Sequence, residues 1–444
     1  MAISPLDYRY VTEMNSIFDE ENKLSKWLLA EAALAKAHAS LGDIPKKCAK
    51  EIGKKANTKS VKLHRVKEIE SEIHHDLMAM VEALTEVCTK ECGGYVHLGA
   101  TSYDIEDTAL SLILRDAIGL IEEKLKKLRQ VLVVLASENK NTVCIGRTHG
   151  QHAVPTTYGM KFALYAKEIN RHEERMKEAK KRMLVGKMTG AVGTMATFGD
   201  KAFKIQDLVM EELGLTPAGV TNQVIQRDRL AEVLFIMALV ASTLEKIAKE
   251  IRSLQRSEIM EIAEPFGKKQ VGSSTMPHKR NPHRSERICS LARVVRADLQ
   301  IALENISLEH ERDLTNSANE RIIIPEIFIL NDYMLKEMTE ILTGLEFFYE
   351  NIERNLEASK GNIMAEKLMI LLTQKGMSRQ DAHELLREAS LKAAKQKIHL
   401  KEALEENKGI TKYLSKKELE DAFDVHKYIG KAVEIVENAI KELK

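Results

Sequence analysis

Apolar residues recur at steps of three and four along most of the chain, the period of helices that bury one face. From Phe18 to Leu41 the pattern passes through Leu24, Trp27, Leu28, Ala32, Leu34 and Ala35, and it stops at Gly42-Asp43-Ile44-Pro45. A second helix is predicted from Val66 to Cys92, ended by Gly93-Gly94. The third, from Asp104 to about Lys140, steps through Ile105, Ala109, Leu112, Ile113, Ala117, Ile121, Leu125, Leu128, Leu132 and Leu135 without a proline. At 1.5 Å per residue it is a rod of roughly 55 Å. Further helices are predicted from Thr156 to about Val185, Arg227 to about Glu264, Arg284 to Ile306 and Asn319 to about Glu353.

Such lengths exceed the usual globular range and predict an all-α fold built on a central bundle of long helices. Val131 to Ala136 and Leu234 to Ala241 are apolar on more than one face, which predicts self-association. β structure is expected only as small hairpins, with Val192 to Phe198 the candidate. After Leu356 the helices shorten: Gly361 to Lys375, Ser378 to Lys395, then a Lys/Glu-rich tail in which Tyr413-Leu414-Ser415 reads as a cap. Three domains follow: residues 1–110, 111–357 and 358–444.

Composition narrows the function. The 44% apolar and 30% charged residues are those of an ordinary globular protein. Lys and Arg (67) nearly cancel Asp and Glu (66), so no global field invites nucleic acid or an anionic membrane. Met1 to Tyr10 lacks the apolar core of a signal peptide, and Leu234 to Ala241, the longest apolar run, is too short to cross a bilayer. A cytoplasmic location is expected. The five cysteines (Cys48, Cys88, Cys92, Cys144, Cys289) suggest no disulfide framework and hence a reducing compartment. Cys88 and Cys92 are one helical turn apart, but nothing nearby has zinc-ligand spacing, so no metal is expected.

Four polar segments interrupt the helices. Gly272 to His283 (GSSTMPHKRNPH) packs hydroxyls, an amide and cations around two prolines. It is either a punctuated connector or a functional loop. His97 to Asp104 (HLGATSYD) precedes the longest helix; Thr101 and Ser102 there are helix caps or anion ligands. Gly146 to Thr157 (GRTHGQHAVPTT) carries His149 and His152 between two helices. His149, flanked by Thr148 and Gly150, is placed for proton transfer near neutral pH, against a structural role. Glu309 to Arg321 is either a solvated charged face or, with Arg312 and Arg321 bracketing Ser317, an anion site. Since no phosphate loop, dinucleotide fingerprint or GxSxG elbow is present, these residues suggest cofactor-free acid/base chemistry on a multiply anionic small molecule.

Gly272 to Pro282 (GSSTMPHKRNP) resembles the signature loop of the fumarase/aspartase superfamily, and His97 to Thr108 and Gly146 to Pro155 resemble its two other active-site regions. Within the superfamily the chain is most similar to the adenylosuccinate lyase family, on Arg9-Tyr10, His75-Asp76, Gln223, the run through Arg287, and Glu311 to Arg321. The resemblance implies a carbon–nitrogen lyase that eliminates fumarate from adenylosuccinate, giving AMP, and from the related succinylocarboxamide ribonucleotide of purine synthesis. It also implies a homotetramer with three subunits contributing to each site. Argininosuccinate lyase and a catalytically silent relative are the alternatives.

Roles follow from the same resemblance. His149 is the acid for the leaving nitrogen, with Glu286 as the partner that holds its tautomer. Ser273 rather than Ser274 is the base, with Lys279 and backbone N–H groups stabilising its alkoxide. Lys279, Asn281, Thr101, Ser102 and Gln223 would hold the succinyl carboxylates. Arg9, Tyr10, Arg312, Ser317 and Arg321 would meet the phosphate, with Arg287 a weaker candidate. His75 and Asp76 would contact the base or ribose side, and His75 has a rival claim to proton transfer. His74 is grouped with them as a binding residue, although its plain reading, like that of His152 and His278, is structural.

Overall fold

The computed structural model describes residues 4–267 and 269–443. Its long elements, in chain order, are α1 (Glu20–Ser40), α2 (Leu63–Ile73), α3 (Asp76–Glu86), α4 (Ser102–Glu138), the hairpin strands β1 (Val143–Thr148) and β2 (Gln151–Thr157), α5 (Tyr158–Met183), α6 (Asp228–Leu254), α7 (His283–Glu304) and α8 (Ser317–Thr343). Further helices follow, among them α9 (Ala365–Gln374) and α10 (Arg379–Gln396). β structure among the described residues is three two-stranded pairings, so the all-α class holds.

The chain forms two compact units: Met1–Lys126 with Arg171–Glu245 and Ile288–Glu337, and Lys127–Asn170 with Lys246–Arg287 and Met338–Lys444. In the first, Leu24, Trp27, Leu28 and Leu34 of α1 pack in one core with Leu77, Met80 and Leu84 of α3 and with Ile105, Ala109 and Leu112 of α4. In the second, Leu368 and Leu372 of α9, Leu386 and Ala389 of α10, and Leu400, Leu404 and Leu419 beyond them form a separate cluster.

Several expectations are corrected. The helix foreseen from Val66 to Cys92 is broken at His74, whose φ of 55° is left-handed, and restarts with His75 as its N-cap. Periodicity counts side chains and is blind to one residue that reverses the backbone. The helix from Arg227 ends at Leu254, because Gln255 leaves the helix to bond the Glu264 amide (3.0 Å) and the Arg280 carbonyl (3.1 Å). The last long helix ends at Thr343, before a strand of two residues and a separate helix Tyr349–Glu357.

The hairpin is not at Val192 to Phe198, which forms turns leading into a 3₁₀ turn (Ala196–Lys201). It is in the polar segment Gly146 to Thr157, expected to be a loop between two helices. There Val143 pairs with Thr157 and Thr148 with Gln151, with a bulge between Ile145 and Arg147. Cys48 and Cys92, 44 residues apart, form a disulfide. The argument from five unpaired thiols to a reducing compartment therefore fails, since the packing of helix Lys46–Lys55 near Lys90–Gly93, not the spacing, brings the pair together. Ser415 does cap its helix, in a reciprocal arrangement with Glu418.

One buried cation ties the first unit together. The Arg227 guanidinium bonds both oxygens of Asp107 on α4 (3.0 and 3.0 Å) and both oxygens of Glu320 on α8 (2.8 and 3.2 Å). Its three side chains are less than a tenth exposed. Removing the cation strands two buried carboxylates. Arg227→Met is therefore expected to lose about 3–5 kcal/mol of stability in denaturant unfolding, whereas a loss under about 1 kcal/mol would show that the carboxylates find water or protons instead.

Candidate active site

The first unit assembles most of the expected binding residues. His75, as N-cap of α3, accepts the Met78 amide on Nδ1, and its Nε2 lies 3.5 Å from the Ser102 hydroxyl. Asp76 takes Arg321 Nη2 at 2.8 Å. Burial alone would raise the Asp76 carboxyl, but the charges of Arg321 and Lys23 outweigh it and hold it below its ordinary value. The Tyr103 hydroxyl lies 3.4 Å from that of Ser317, and Arg312 stacks 3.5 Å over the Tyr103 ring while donating to Gln223 Oε1 (3.1 Å). Arg321 and Ser317 border a cavity of about 170 Å³ walled by Trp27, Tyr103, Glu106 and Ile324.

The loop before α4 is fixed from three sides. Glu31, buried, accepts both the His97 amide (3.0 Å) and its Nδ1 (2.6 Å). His38 contacts the Leu98 carbonyl, and the Thr197 hydroxyl donates to the Gly99 carbonyl. Gly99 has φ 74°, and a Cβ there would meet the Phe198 ring at 2.9 Å, so only glycine fits. The capping of α4 is done by Asp104, which accepts the Thr101 amide at 2.9 Å, rather than by the hydroxyls of Thr101 or Ser102. The Thr101 hydroxyl has no hydrogen bond among the described residues, which leaves it for a ligand.

Arg9 is exposed; Tyr10 packs edge-on against Tyr333, ring centres 5.1 Å apart. His74 has its structural role as the left-handed hinge between α2 and α3.

The second unit carries the expected catalytic side chains. His149 and Gly150 sit at the tip of the hairpin with φ 54° and 74°. Two successive left-handed residues make the two-residue turn whose twist suits a hairpin. The His149 side chain is exposed at that tip. Below it, buried Glu261 takes Arg147 (2.5 Å), the Tyr158 hydroxyl (2.6 Å) and the Asn355 amide (2.9 Å), which clamps the base of the hairpin.

Gly272 to His283 is a loop pinched at its neck. Asn281 Nδ2 donates to the Gly272 carbonyl (3.0 Å), and a Cβ on Gly272 would lie 2.1 Å from the Lys279 carbonyl oxygen. The following helix α7 is capped by buried Glu264, whose carboxylate accepts the amides of Arg284 (3.3 Å) and Ser285 (2.5 Å). Within the loop the Ser273 oxygen accepts two backbone amides, Thr275 (3.3 Å) and Met276 (3.1 Å), whereas Ser274 meets only the Thr275 hydroxyl. Lys279 and Glu286 are exposed; within the described chain Glu286 makes no bond to His149. Arg287 is half-buried near the start of α7.

Comparisons with known proteins decide the family. A lyase family model matches residues 9–297, and a model described as the adenylosuccinate lyase C-terminus matches residues 361–439. The adenylosuccinate lyase of Pyrococcus abyssi is 60% identical over 441 residues, covering 99% of this chain and 98% of that protein. The chain belongs to the adenylosuccinate lyase family. The adenylosuccinate lyase of Methanocaldococcus jannaschii is 55% identical over 446 residues, covering 100% of the chain and 96% of that protein. Among solved structures, a fumarate lyase from a Mesorhizobium species superposes with a TM-score of 0.90 at 31% identity, over 97% of each chain. A 3-carboxy-cis,cis-muconate lactonizing enzyme from Pseudomonas putida does so at 0.90 and 34%, over 99% of this chain and 98% of the other. These place the adenylosuccinate lyase family within the fumarase/aspartase superfamily in fold as well as in sequence.

Sequence reasoning missed Glu106, which lines the cavity beside Arg321 and Ser317. It stands one helical turn after Ser102, and that spacing was the available signal. Burial, then the neighbouring carboxylates of Asp76 and Asp107, push its carboxyl up to about 7 against the pull of Lys23 and Arg321. The folded chain therefore holds a proton that the unfolded chain releases above 4.5, and the stability this confers is lost as pH rises through about 7. Glu106→Gln is expected to raise Tm relative to the parent more at pH 8 than at pH 5. Equal offsets in scanning calorimetry at the two pH values would show that Glu106 does not titrate in this range.

Proposed function

We propose that the chain performs adenylosuccinate lyase chemistry through the two sets of residues just described. It removes fumarate from adenylosuccinate, leaving AMP, and from the succinylocarboxamide ribonucleotide, leaving its free amine. The reaction takes a proton from the carbon beside one succinyl carboxylate, forms a dianion, and protonates the departing nitrogen. No step requires a metal or cofactor, since each is a proton transfer or an electrostatic stabilisation.

Ser273 is the base. The observation that carries this is the pair of backbone amides aimed at its oxygen, because N–H donors favour the alkoxide over the hydroxyl. Ser274 has no such donors among the described residues. Lys279, on the same loop, adds positive charge once the loop covers bound substrate and expels water. His149, presented at the tip of a hairpin whose base is clamped by Glu261, protonates the leaving nitrogen, and Glu286 orients its ring. Thr101, Ser102, Gln223, Lys279 and Asn281 hold the succinyl carboxylates. Arg9, Tyr10, Arg312, Ser317 and Arg321 hold the phosphate, with Arg287 at its edge, and His75 with Asp76 meets the ribose side.

A homotetramer in the cytoplasm completes the reading. Exposed Val134, Leu164 and Phe235 on long helices supply apolar area for association, and neighbouring subunits bring their loops to one another's sites.

Three measurements test this. Ser273→Ala and His149→Ala are each expected to lower kcat by about 10²–10⁴ with adenylosuccinate, while Ser274→Ala stays near the parent. A larger loss from Ser274→Ala than from Ser273→Ala would transfer the role of base. Turnover of argininosuccinate but not adenylosuccinate would sink the substrate assignment. Arg321→Ala is expected to raise KM more than it lowers kcat, as for a contact equal in ground and transition states. An unchanged KM would remove Arg321 from the phosphate site.

A further inference from the structure

Three buried polar residues of α4, Asp104, Thr108 and Ser111, follow one another at four and three residues and so form a row on one helix face. An extended segment, residues 185–190, runs along that row. Ser111 donates to the Val185 carbonyl (2.6 Å), and the Thr108 hydroxyl serves both the amide and the carbonyl of Lys187 (3.1 Å each). Asp104 accepts the amides of Thr189 (2.8 Å) and Gly190 (3.1 Å), the Lys187 ammonium, and, from the other side, the Thr101 amide. Asp104 and Lys187 are both 0% exposed.

The segment also reaches the loop that carries Gln223. The Thr189 hydroxyl lies 2.8 Å from that of Thr221. Gly193, with φ 87°, approaches so closely that a Cβ would lie 2.0 Å from the Thr221 carbonyl oxygen.

We propose that Asp104 and Lys187 are positioning residues for the succinyl half of the substrate. Through the clamped segment they fix the separation between Thr101-Ser102 and Gln223, the groups that receive its two carboxylates. This rests on the carboxylate reading of those three residues given above. The chemistry explains the choice of a charged pair. Four donors converge on one side chain, and only an ionised carboxylate offers enough lone pairs to accept them all. Lys187 meets that carboxylate with a counter-charge where no water can. An apolar pair of similar volume would serve stability as well or better, but it would leave the Thr101, Thr189 and Gly190 amides without a common acceptor.

The test is product inhibition of the full-length enzyme by fumarate and, separately, by AMP. In Asp104→Asn/Lys187→Met, which removes both charges together, the fumarate Ki is expected to rise about tenfold while the AMP Ki stays within about twofold. An equal weakening of both products would mean a purely structural pair and overturn the proposal. Thr101→Ala runs alongside. If it weakens fumarate and the double variant does not, the positioning role is wrong while the carboxylate reading stands. If neither variant changes fumarate, the carboxylate reading falls and takes the proposal with it. Should the double variant fail to fold, Thr189→Val removes only the link to Thr221. It is expected to raise the fumarate Ki about threefold, and an unchanged value overturns the proposal.

Discussion

A lysine nitrogen closed off from water is tolerable only if a counter-charge meets it, and in this chain Asp104 is that counter-charge for Lys187. The pair fixes more than itself. Asp104 is the third residue of α4, so the same carboxylate that answers the lysine also finishes the helix and sets the loop before it. Three residues further on, Asp107 meets Arg227, which in turn holds Glu320. Two adjacent turns of one helix therefore anchor an extended segment, a loop and α8 by buried ionic contacts. Neutral packing would hold these elements together but would not dictate their register to a fraction of an ångström.

Much of this was legible in the sequence, and the rest was hidden for identifiable reasons. The run from Ile105 to Leu132 declared α4 because each of its apolar steps is buried. The end of α6 did not declare itself, because Ile259, Ile262 and Ala263 continue at spacings that pass for helical although the chain has turned away. The hairpin was hidden by its own chemistry. Gly146 and Pro155 look like loop punctuation, yet one sits at a bulge and the other opposite Ile145 in the ladder. The Cys48–Cys92 bond needed the packing of two short helices, which no local pattern encodes. For the site, the three polar regions and the residues in them were visible as a constellation. Their electrostatic state was not. Glu106 stood inside the region His97 to Thr108 without a role, since its significance depends on what burial and Asp76 do to its proton.

The division of labour between rigid and exposed parts follows the chemistry. Groups proposed to recognise charge, such as Arg321 with Asp76 and Arg312 with Gln223, are paired internally, which keeps them oriented before any ligand arrives. Groups assigned to proton transfer sit at exposed points, His149 on a turn and Ser273 on a necked loop, with their supports buried beneath them in Glu261 and Glu264. A proton carrier must reach the substrate and then release product, so its mobility is confined to the last few residues while the stem stays fixed.

Histidine occupies four of the left-handed positions outside glycine: His74, His97, His149 and His310. At position 149 this makes two demands on one residue. The backbone asks for a side chain that tolerates positive φ, which glycine, asparagine and aspartate satisfy at low cost, and the proposed proton transfer asks for an imidazole. Genetic drift at this codon is thus filtered twice. A survey of substitutions there would separate into alleles that keep the turn but abolish the proton, and alleles that spoil both. Asparagine belongs to the first kind and valine to the second, so the two together distinguish a lost reaction from a lost shape.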